Sequence, residues 1–403
     1  AIPGRLLDAL RRLNPGVPNE QLVQAREEIL TPSSADAITE NMRAHAWLTA
    51  GYRLDYVDDA GVEQSPTLRV ISAEPADNDY LVANQVTIRR PEGLRRFDLV
   101  LYCNGLPVAI VELKRAGSEQ AHLAAAHAQL QTYLREFPLA FRFCVLTVIS
   151  DGILARYGTP FTPLNHYAPW YVDEDGTPYP PDAEGVDGEA LSQLEALCAG
   201  LLQTDRFGQL ARNYVSFSVT DGGIAKLVAK PHQYFAVARA IAATITAYRT
   251  DGKAGVVWHT QGAGKSLEME FYTHLVQRHP LLENPSVVVI TDRKELDGQL
   301  FGAFERSGLL AESPLAVKTR TQLRAELTGR RTGGILFTTL QKFGLTQTER
   351  DTGASHPLLS DRRNIIVVVD EAHRSHYDDL DGYARHLRDA LPHATLIAFT
   401  GTP

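Results

Sequence analysis

Over residues 97–114, FDLVLYCNGLPVAIVELK, apolar positions come in two runs that meet at Asn104-Gly105. Asn-Gly supplies the left-handed backbone that a tight turn demands, so the pattern predicts a β-hairpin. Residues 118–137, SEQAHLAAAHAQLQTYLREF, are Ala-rich with Ser118 placed as an N-cap, which predicts a helix. Residues 141–152, FRFCVLTVISDG, predict a buried strand ending in a turn. Preceded by a helical start and a polar middle, strand, strand, helix and strand make a compact α/β unit over residues 1–154.

Residues 155–225 break this pattern. Pro, Gly, Asp and Tyr crowd residues 156–189 and predict an irregular connector, followed by a short helical stretch at 190–203, ALSQLEALCAGLLQ. From residue 226 strands and helices alternate. Strand candidates are AGVVW (254–258), SVVVIT (286–291), GILFTT (334–339), IIVVVD (365–370) and TLIAFT (395–400). They are short and apolar throughout, the pattern of parallel strands covered on both faces. Residues 226–403 therefore read as a doubly wound parallel-sheet domain, and the expected fold class is α/β in both domains.

Composition changes this picture little. The chain has 403 residues, 44% apolar and 22% charged, which suits a globular protein with two or three cores. No apolar run reaches the roughly 18 residues of a membrane span, and no apolar N-terminal stretch marks a secretion signal, so no membrane partner is expected. Cys103, Cys144 and Cys198 lie far apart without metal-type spacing; an odd count suggests reduced thiols and a cytoplasmic location. The net charge of −8 makes no global case for nucleic acid. Locally, IRRPEGLRRF (88–97) is a basic candidate, for which a solvated loop is the plainer reading.

Candidate chemistry is most explicit in VVWHTQGAGKS (256–266), between a strand and a helix. Gly262 and Gly264 let backbone N–H groups curl around phosphate oxygens, and a helix N-terminus adds partial positive charge. Thr260, Ala263, Lys265 and Ser266 complete the loop, with Lys265 reaching the β/γ-phosphates and Ser266 ligating Mg2+. His259 stands where the strict pattern has Gly. In IIVVVDEAH, Asp370 at a strand end suits the metal side of the same site, and Glu371 can orient the attacking water. The expected ligands are ATP and Mg2+. His373 and His376 with Asp370 could suggest a metal cluster, but His373 belongs to the DEAH run, and the histidines elsewhere have no ligand spacing.

GAGKS, DEAH and TGTP (400–403) resemble motifs I, II and III of superfamily 2 helicases, and TDRKELDGQL (291–300) resembles motif Ia. Together with LNPGVP, NDYLVANQVTI (78–88) and NGLPVAIVELK, the chain resembles the restriction (motor) subunit of type I restriction-modification enzymes. The resemblance implies a nuclease domain over 1–154, a connector over 155–225 and a first RecA-like ATPase domain over 226–403. It places Gln233 as an adenine-reading glutamine, and His373, Thr400, Gly401 and Thr402 as groups coupling ATP state to motion. It also implies double-stranded DNA as substrate, with methyltransferase and specificity subunits as partners. The second RecA-like domain lies outside the sequence, so the chain is expected to be a fragment that turns ATP over poorly.

Under that resemblance, Asp98, Glu112 and Lys114 form the D…ExK set of a PD-(D/E)xK nuclease, with Phe97 in the nominal Pro position. Two carboxylates suit Mg2+, and a lysine can orient water or stabilise developing negative charge. Gln129 and Tyr133, four apart on one helix face, match a Q-x-x-x-Y element that positions DNA. Geometry sets a condition. Glu112 and Lys114 share a face, but a regular two-residue turn at Asn104-Gly105 would point Asp98 the other way. The nuclease reading therefore expects a three-residue turn with a G1 bulge at Gly105, or a bulge elsewhere in the hairpin. A solvent-facing or ion-paired set of structural charges remains the alternative for these residues. So do two other wholes: a self-contained helicase–nuclease of another restriction or repair system, and a catalytically silent DNA-binding scaffold.

Overall fold

A computed structural model describes residues 1–90, 93–114, 119–260, 262–291, 298–353, 355–370 and 377–401. The chain divides into two compact units, residues 1–217 with 222–231, and residues 218–221 with 232–403.

In the first unit, helices α1 (Pro3–Leu13), α2 (Asn19–Leu30) and α3 (Ala37–Ala50) lead in. α1 begins with proline at its first turn and buries Leu6, Leu7 and Leu10 on one face while Arg11 and Arg12 close its negative end. Two short antiparallel pairs follow, β1 (Tyr52–Arg53) with β4 (Thr67–Leu68) and β2 (Tyr56–Val57) with β3 (Glu63–Gln64). The main sheet has the order β5 (Tyr80–Arg90), β6 (Gly93–Cys103), β7 (Leu106–Leu113), β8 (Leu146–Ser150), β9 (Ala155–Gly158). All neighbours are antiparallel except β7 and β8, which run parallel and are joined through α4 (Glu119–Glu136). α4 packs Leu123, Ala126, Leu130 and Tyr133 against Val100, Tyr102 and Ile110 of the sheet. That spacing of three and four is the inward stripe of a helix. Ser118, the expected N-cap, lies outside the described residues.

The strand expected over 141–152 is shorter. Pro138–Phe141 is a 3₁₀ turn and only Leu146–Ser150 is strand. The reason is a buried side chain: the Asn41 amide donates to the carbonyls of Phe141, Arg142 and Cys144 at 2.7, 3.2 and 2.9 Å, taking the place of a sheet partner. Residues 155–217 also carry more regular structure than their composition suggests. They supply β9, α5 (Gln193–Gly200) and α6 (Thr204–Asn213), and they bury Tyr157 and Trp170 completely. The hairpin β10 (Val215–Thr220) and β11 (Gly223–Val228) completes this part of the chain.

The second unit holds α7 (Pro231–Arg249) and a six-stranded parallel sheet. Its order is β12 (Lys253–Trp258), β17 (Thr395–Thr400), β16 (Ile365–Asp370), β13 (Ser286–Ile290), β15 (Ile335–Thr338), β14 (Leu315–Ala316). Helices α8 (Lys265–Arg278), α9 (Gln299–Glu305), α10 (Arg320–Gly329), α11 (Gln347–Asp351) and α12 (Tyr377–Ala390) make the connections. Central strands are buried on both faces: Val287, Val288, Val289 and Ile365 through Val368 have no exposed surface. β12 departs from that expectation. It is an edge strand, and Val256 and Trp258 remain 65% and 51% exposed.

Candidate active sites

The first site is built by the β6–β7 hairpin, and its turn decides the geometry. Asn104 and Gly105 take φ of +50° and +77°, a two-residue turn that pairs Cys103 with Leu106. The three-residue turn is therefore not formed. The tight turn is held by its surroundings: Gly105 accepts from the Ile2 N–H at 2.7 Å, and the buried Asn104 side chain donates to the Val70 carbonyl and accepts from the Asp79 N–H. A Cβ on Gly105 would lie 2.5 Å from the Ile2 carbonyl oxygen.

The change of face comes instead from a bulge further along. Tyr102 pairs with Pro107, but Leu101 pairs with Ala109, leaving Val108 as the extra residue. Proline donates no ladder hydrogen bond, so this is where a strand accepts an irregularity at least cost. Beyond the bulge Leu99 pairs with Val111, which sets Asp98 across from Glu112. The alternative condition, a bulge elsewhere in the hairpin, is what the structure has.

The charged groups then meet. Asp98 accepts the Leu113 backbone N–H at 2.9 Å on one carboxylate oxygen. Lys114 Nζ donates to Glu112 at 2.6 Å and to Gln129 Oε1 at 2.7 Å. Gln129 donates in turn to the Tyr133 hydroxyl, and Tyr133 donates to the Arg96 carbonyl at 3.4 Å. Glu112 is fully buried, and burial pushes its carboxyl up, with Lys114 opposing and Asp98 adding to the rise. Its second oxygen, Oε2, is buried without a hydrogen-bond partner among the described residues. A buried acceptor left so is costly, about 1–3 kcal/mol, and a cation would satisfy it. No cluster of three or more His, Cys, Asp or Glu exists among the described residues. A metal here would be held by Asp98 and Glu112 together with further oxygens, the donor type that Mg2+ prefers.

Gln85, to which the sequence reading assigned no role, also belongs to this site. It stands opposite Asp98 on β5, and its Nε2 lies 3.4 Å from Asp98 Oδ1. Its φ is +51°, a left-handed backbone in mid-strand that costs a non-glycine residue about 1–2 kcal/mol. The core-facing positions register the twist: Leu81 and Ala83, then Val86 and Ile88 on β5; Phe97, then Val100 and Tyr102 on β6. Both strands change phase at the same level while their pairing stays in register. That interrupted alternation, LVANQVTI, was the available sequence signal. The site opens as a depression of about 400 Å³ lined by Asn84, Gln85, Asp98, Leu99, Leu113 and Lys114. In the basic stretch nearby, Arg95 is held by Glu136 at 2.7 Å, while Arg89 and Arg96 are exposed.

The second site lies at the C-terminal ends of β12, β17 and β16, which are adjacent in the sheet. This brings GAGKS, Thr400-Gly401 and the Asp370 strand end to one edge of the sheet. Thr400 accepts the His259 N–H at 3.2 Å, and Lys265 Nζ lies 3.4 Å from Asp370 Oδ1. Gly264, with φ +90°, is the N-cap of α8, so Lys265 and Ser266 open the helix where backbone N–H groups point outward. Gln233 is buried against this loop, its amide donating to the Ala263 and Gly264 carbonyls at 3.1 and 3.3 Å. Thr260 accepts the Ala263 N–H, and Gly262 has φ +85°. His259, in the position usually given to glycine, pairs through Nδ1 with buried Glu268 at 2.6 Å, and that bond raises its pKa. Gly401 is described, next to Thr400. Glu371, His373, His376, Thr402 and residues 292–297 of TDRKELDGQL lie outside the described residues.

Residues 2–166 match the family model of the type I restriction enzyme R protein N terminus, and residues 232–403 match that of the SWI2/SNF2 ATPase. The chain is 37% identical to the type I restriction enzyme HindI endonuclease subunit of Haemophilus influenzae, over 99% of this chain and 38% of that protein. It is 30% identical to the putative type I restriction enzyme MjaIXP endonuclease subunit of Methanocaldococcus jannaschii, over 100% of this chain and 38% of that one. A Staphylococcus aureus relative, the SauMSSORF170P endonuclease subunit, is 24% identical over 81% of this chain and 32% of its own length. The chain thus spans well under half of the relatives it matches. No helix among the described residues is long and apolar enough to cross a membrane.

Proposed function

The chain belongs to the family of type I restriction enzyme endonuclease subunits, and from that we propose that it cuts unmodified double-stranded DNA and drives ATP-powered movement along it. The observation that carries the nuclease half is the bulge at Val108, which sets Asp98 across from Glu112 and leaves one buried Glu112 oxygen unpartnered. Mg2+ bound by these carboxylates would activate water and neutralise charge at the scissile phosphate. Lys114, held by Glu112 and Gln129, carries three N–H donors and can hold the attacking water or the phosphate's developing negative charge. Gln129 and Tyr133 fix the lysine from the α4 side and border the path of the DNA.

In the motor half, ATP would insert its phosphates between Lys265 and Asp370, which at 3.4 Å mark the two walls of the site. Lys265 would take the β/γ-phosphates, while Ser266 and Asp370 hold Mg2+ and Glu371 orients water. Gln233, held against the phosphate loop, would read the adenine. His373, Thr400, Gly401 and Thr402 would pass the nucleotide state to movement. Methyltransferase and specificity subunits would supply DNA recognition, and the second lobe of a translocase would complete the motor.

The test uses the full-length protein with its partner subunits on unmethylated DNA. Lys114→Ala is expected to lower double-strand cleavage at least about 100-fold while ATP-driven translocation continues, and Lys265→Ala to stop both. Cleavage by Lys114→Ala at the wild-type rate would sink the nuclease assignment.

A further inference from the structure

Four described non-glycine residues have a left-handed backbone: Asn104, Glu283, Asn284 and Gln85. The first three lie in turns or loops, and Gln85 alone among them lies within a strand. Asparagine tolerates that conformation through its short polar side chain, and glycine has no Cβ to clash. Glutamine has neither advantage, so a strand that only needed to bend would be served better by another residue. Strain of this kind persists where the surrounding structure over-determines it, most often at functional sites.

What the strain achieves is visible in the geometry. Gln85 faces Asp98 across the β5–β6 ladder, with Nε2 at 3.4 Å from Oδ1, while the other Asp98 oxygen takes the Leu113 N–H at 2.9 Å. One donor on each oxygen fixes both the position and the plane of the carboxylate. Gln85 is exposed to the depression shared with Lys114. Its amide is neutral, so it orients Asp98 without opposing a cation, as arginine or lysine in its place would do.

We propose that Gln85 is a positioning residue of the nuclease site, whose amide, carried on the left-handed backbone of β5, orients the Asp98 carboxylate toward the ion shared with Glu112. The proposal rests on the nuclease reading above. Outer partners of metal-binding carboxylates affect affinity as well as rate, which gives the role a readout independent of cleavage.

Gln85→Gly separates the two possible roles, because glycine keeps the backbone and removes the amide. In the full-length protein without nucleotide, Gln85→Gly is expected to unfold at a higher temperature than wild type. It should nevertheless bind Mn2+ at the nuclease site about tenfold more weakly by calorimetry. The site's share of binding is defined by the difference from Glu112→Ala. With partner subunits, cleavage should fall about tenfold or more while ATP turnover is unchanged. Gln85→Ala should show the same losses. If Gln85→Gly binds Mn2+ and cuts as wild type does, while Glu112→Ala does neither, the residue only shapes the strand and the proposal fails. If Glu112→Ala itself binds and cuts normally, the nuclease reading has failed first.

Discussion

Each unit sets a lysine against a carboxylate at the end of a strand, Lys114 on Glu112 at 2.6 Å and Lys265 on Asp370 at 3.4 Å. The settings differ. Asp370 and Lys265 stand at the mouth of a loop, on neighbouring segments that meet because parallel strands end at one level. Glu112 is closed off from solvent, and its partner Asp98 arrives only because one strand carries an extra residue, with a left-handed residue beside it on the next strand. At the loop site, the proposed nucleotide phosphates would replace Asp370 as the partner of Lys265. The hairpin site stores unfavourable terms, a buried carboxylate that a bound ion would relieve and a strained backbone beside it. A substitution should therefore act mainly on ligand affinity at the first and on stability and ligand together at the second.

Adding a single methyl group to each unit tests this most directly. At Gly264, φ is +90° and a Cβ would lie 2.4 Å from Gln233 Nε2. Gly264→Ala is expected to weaken ATP binding by roughly 10- to 100-fold, since left-handed strain of about 1–3 kcal/mol falls on the phosphate loop. Fluorescent-nucleotide titration reads this. At Gly105, φ is +77° and a Cβ would meet the Ile2 carbonyl oxygen at 2.5 Å. Gly105→Ala should instead lower the unfolding free energy of the first unit by a similar about 1–3 kcal/mol, with ATP affinity unchanged. Equal effects of both substitutions on ATP affinity would dissolve the contrast.

The same contrast explains what could be read from residues alone. GAGKS, the Asp370 strand and TGTP are each contiguous, and their strands were recognisable as short apolar runs, so the candidate ATP site was legible before any fold. The D…ExK residues were legible as chemistry, but their convergence was conditional, because one extra residue reverses every side chain beyond it. Which of the two irregularities, a longer turn or a bulge further along, would form was left open, since the buried contacts that hold the tight turn at Asn104 come from Val70 and Asp79, far away in sequence. Likewise the strand at 141–145 was lost to Asn41, a hundred residues earlier. β5 and Gln85 were missed because a half-exposed strand with a phase change shows no clean alternation, and β9 because it is only four residues long and leads into a Pro- and Gly-rich run.

A smaller effect sharpens the stability side. Burial raises the Glu112 carboxyl above its ordinary 4.5. Its contribution therefore favours the fold below that value and is lost as pH rises through the raised one, so at pH 7 the ionised carboxylate costs stability. Glu112→Gln keeps an acceptor for Lys114 and removes the charge. It is expected to stabilise the protein at pH 7 by about 1 kcal/mol, to abolish cleavage, and to remove the rise in Tm that Mg2+ gives wild type. A variant less stable than wild type at pH 7 would show that the Lys114 pair outweighs the burial.

The last effect is a slope with pH rather than a single shift, and it distinguishes the units by where it falls. Lys226 is buried in the first unit, donating to Asn41 Oδ1 at 2.8 Å and to the Cys144 carbonyl at 3.0 Å, with its ammonium 5.3 Å from the Phe217 ring. Burial pulls its pKa from 10.5 down to about 7. The groups facing it are His45, which burial keeps neutral, and the Cys144 thiol, pushed up to about 12. Between pH 7 and 10.5 the unfolded chain binds a proton here that the folded one does not, so stability rises with pH across that window, by at most about 1.4 kcal/mol per unit, and is level below it. In the second unit the corresponding group is His274, pulled by burial to about 4, whose window is acidic. Denaturant unfolding from pH 7 to 9 should therefore show a rising midpoint for the first unit and none for the second, where the bond to Glu268 raises His259 and its contribution is lost as pH climbs. Lys226→Met should flatten the first unit's slope, because methionine fills the lysine's volume without a proton to exchange. A slope that survives the substitution would mean the ammonium reaches water in the folded state, and the polar cluster around Asn41 would then be a hydrated channel rather than part of the core.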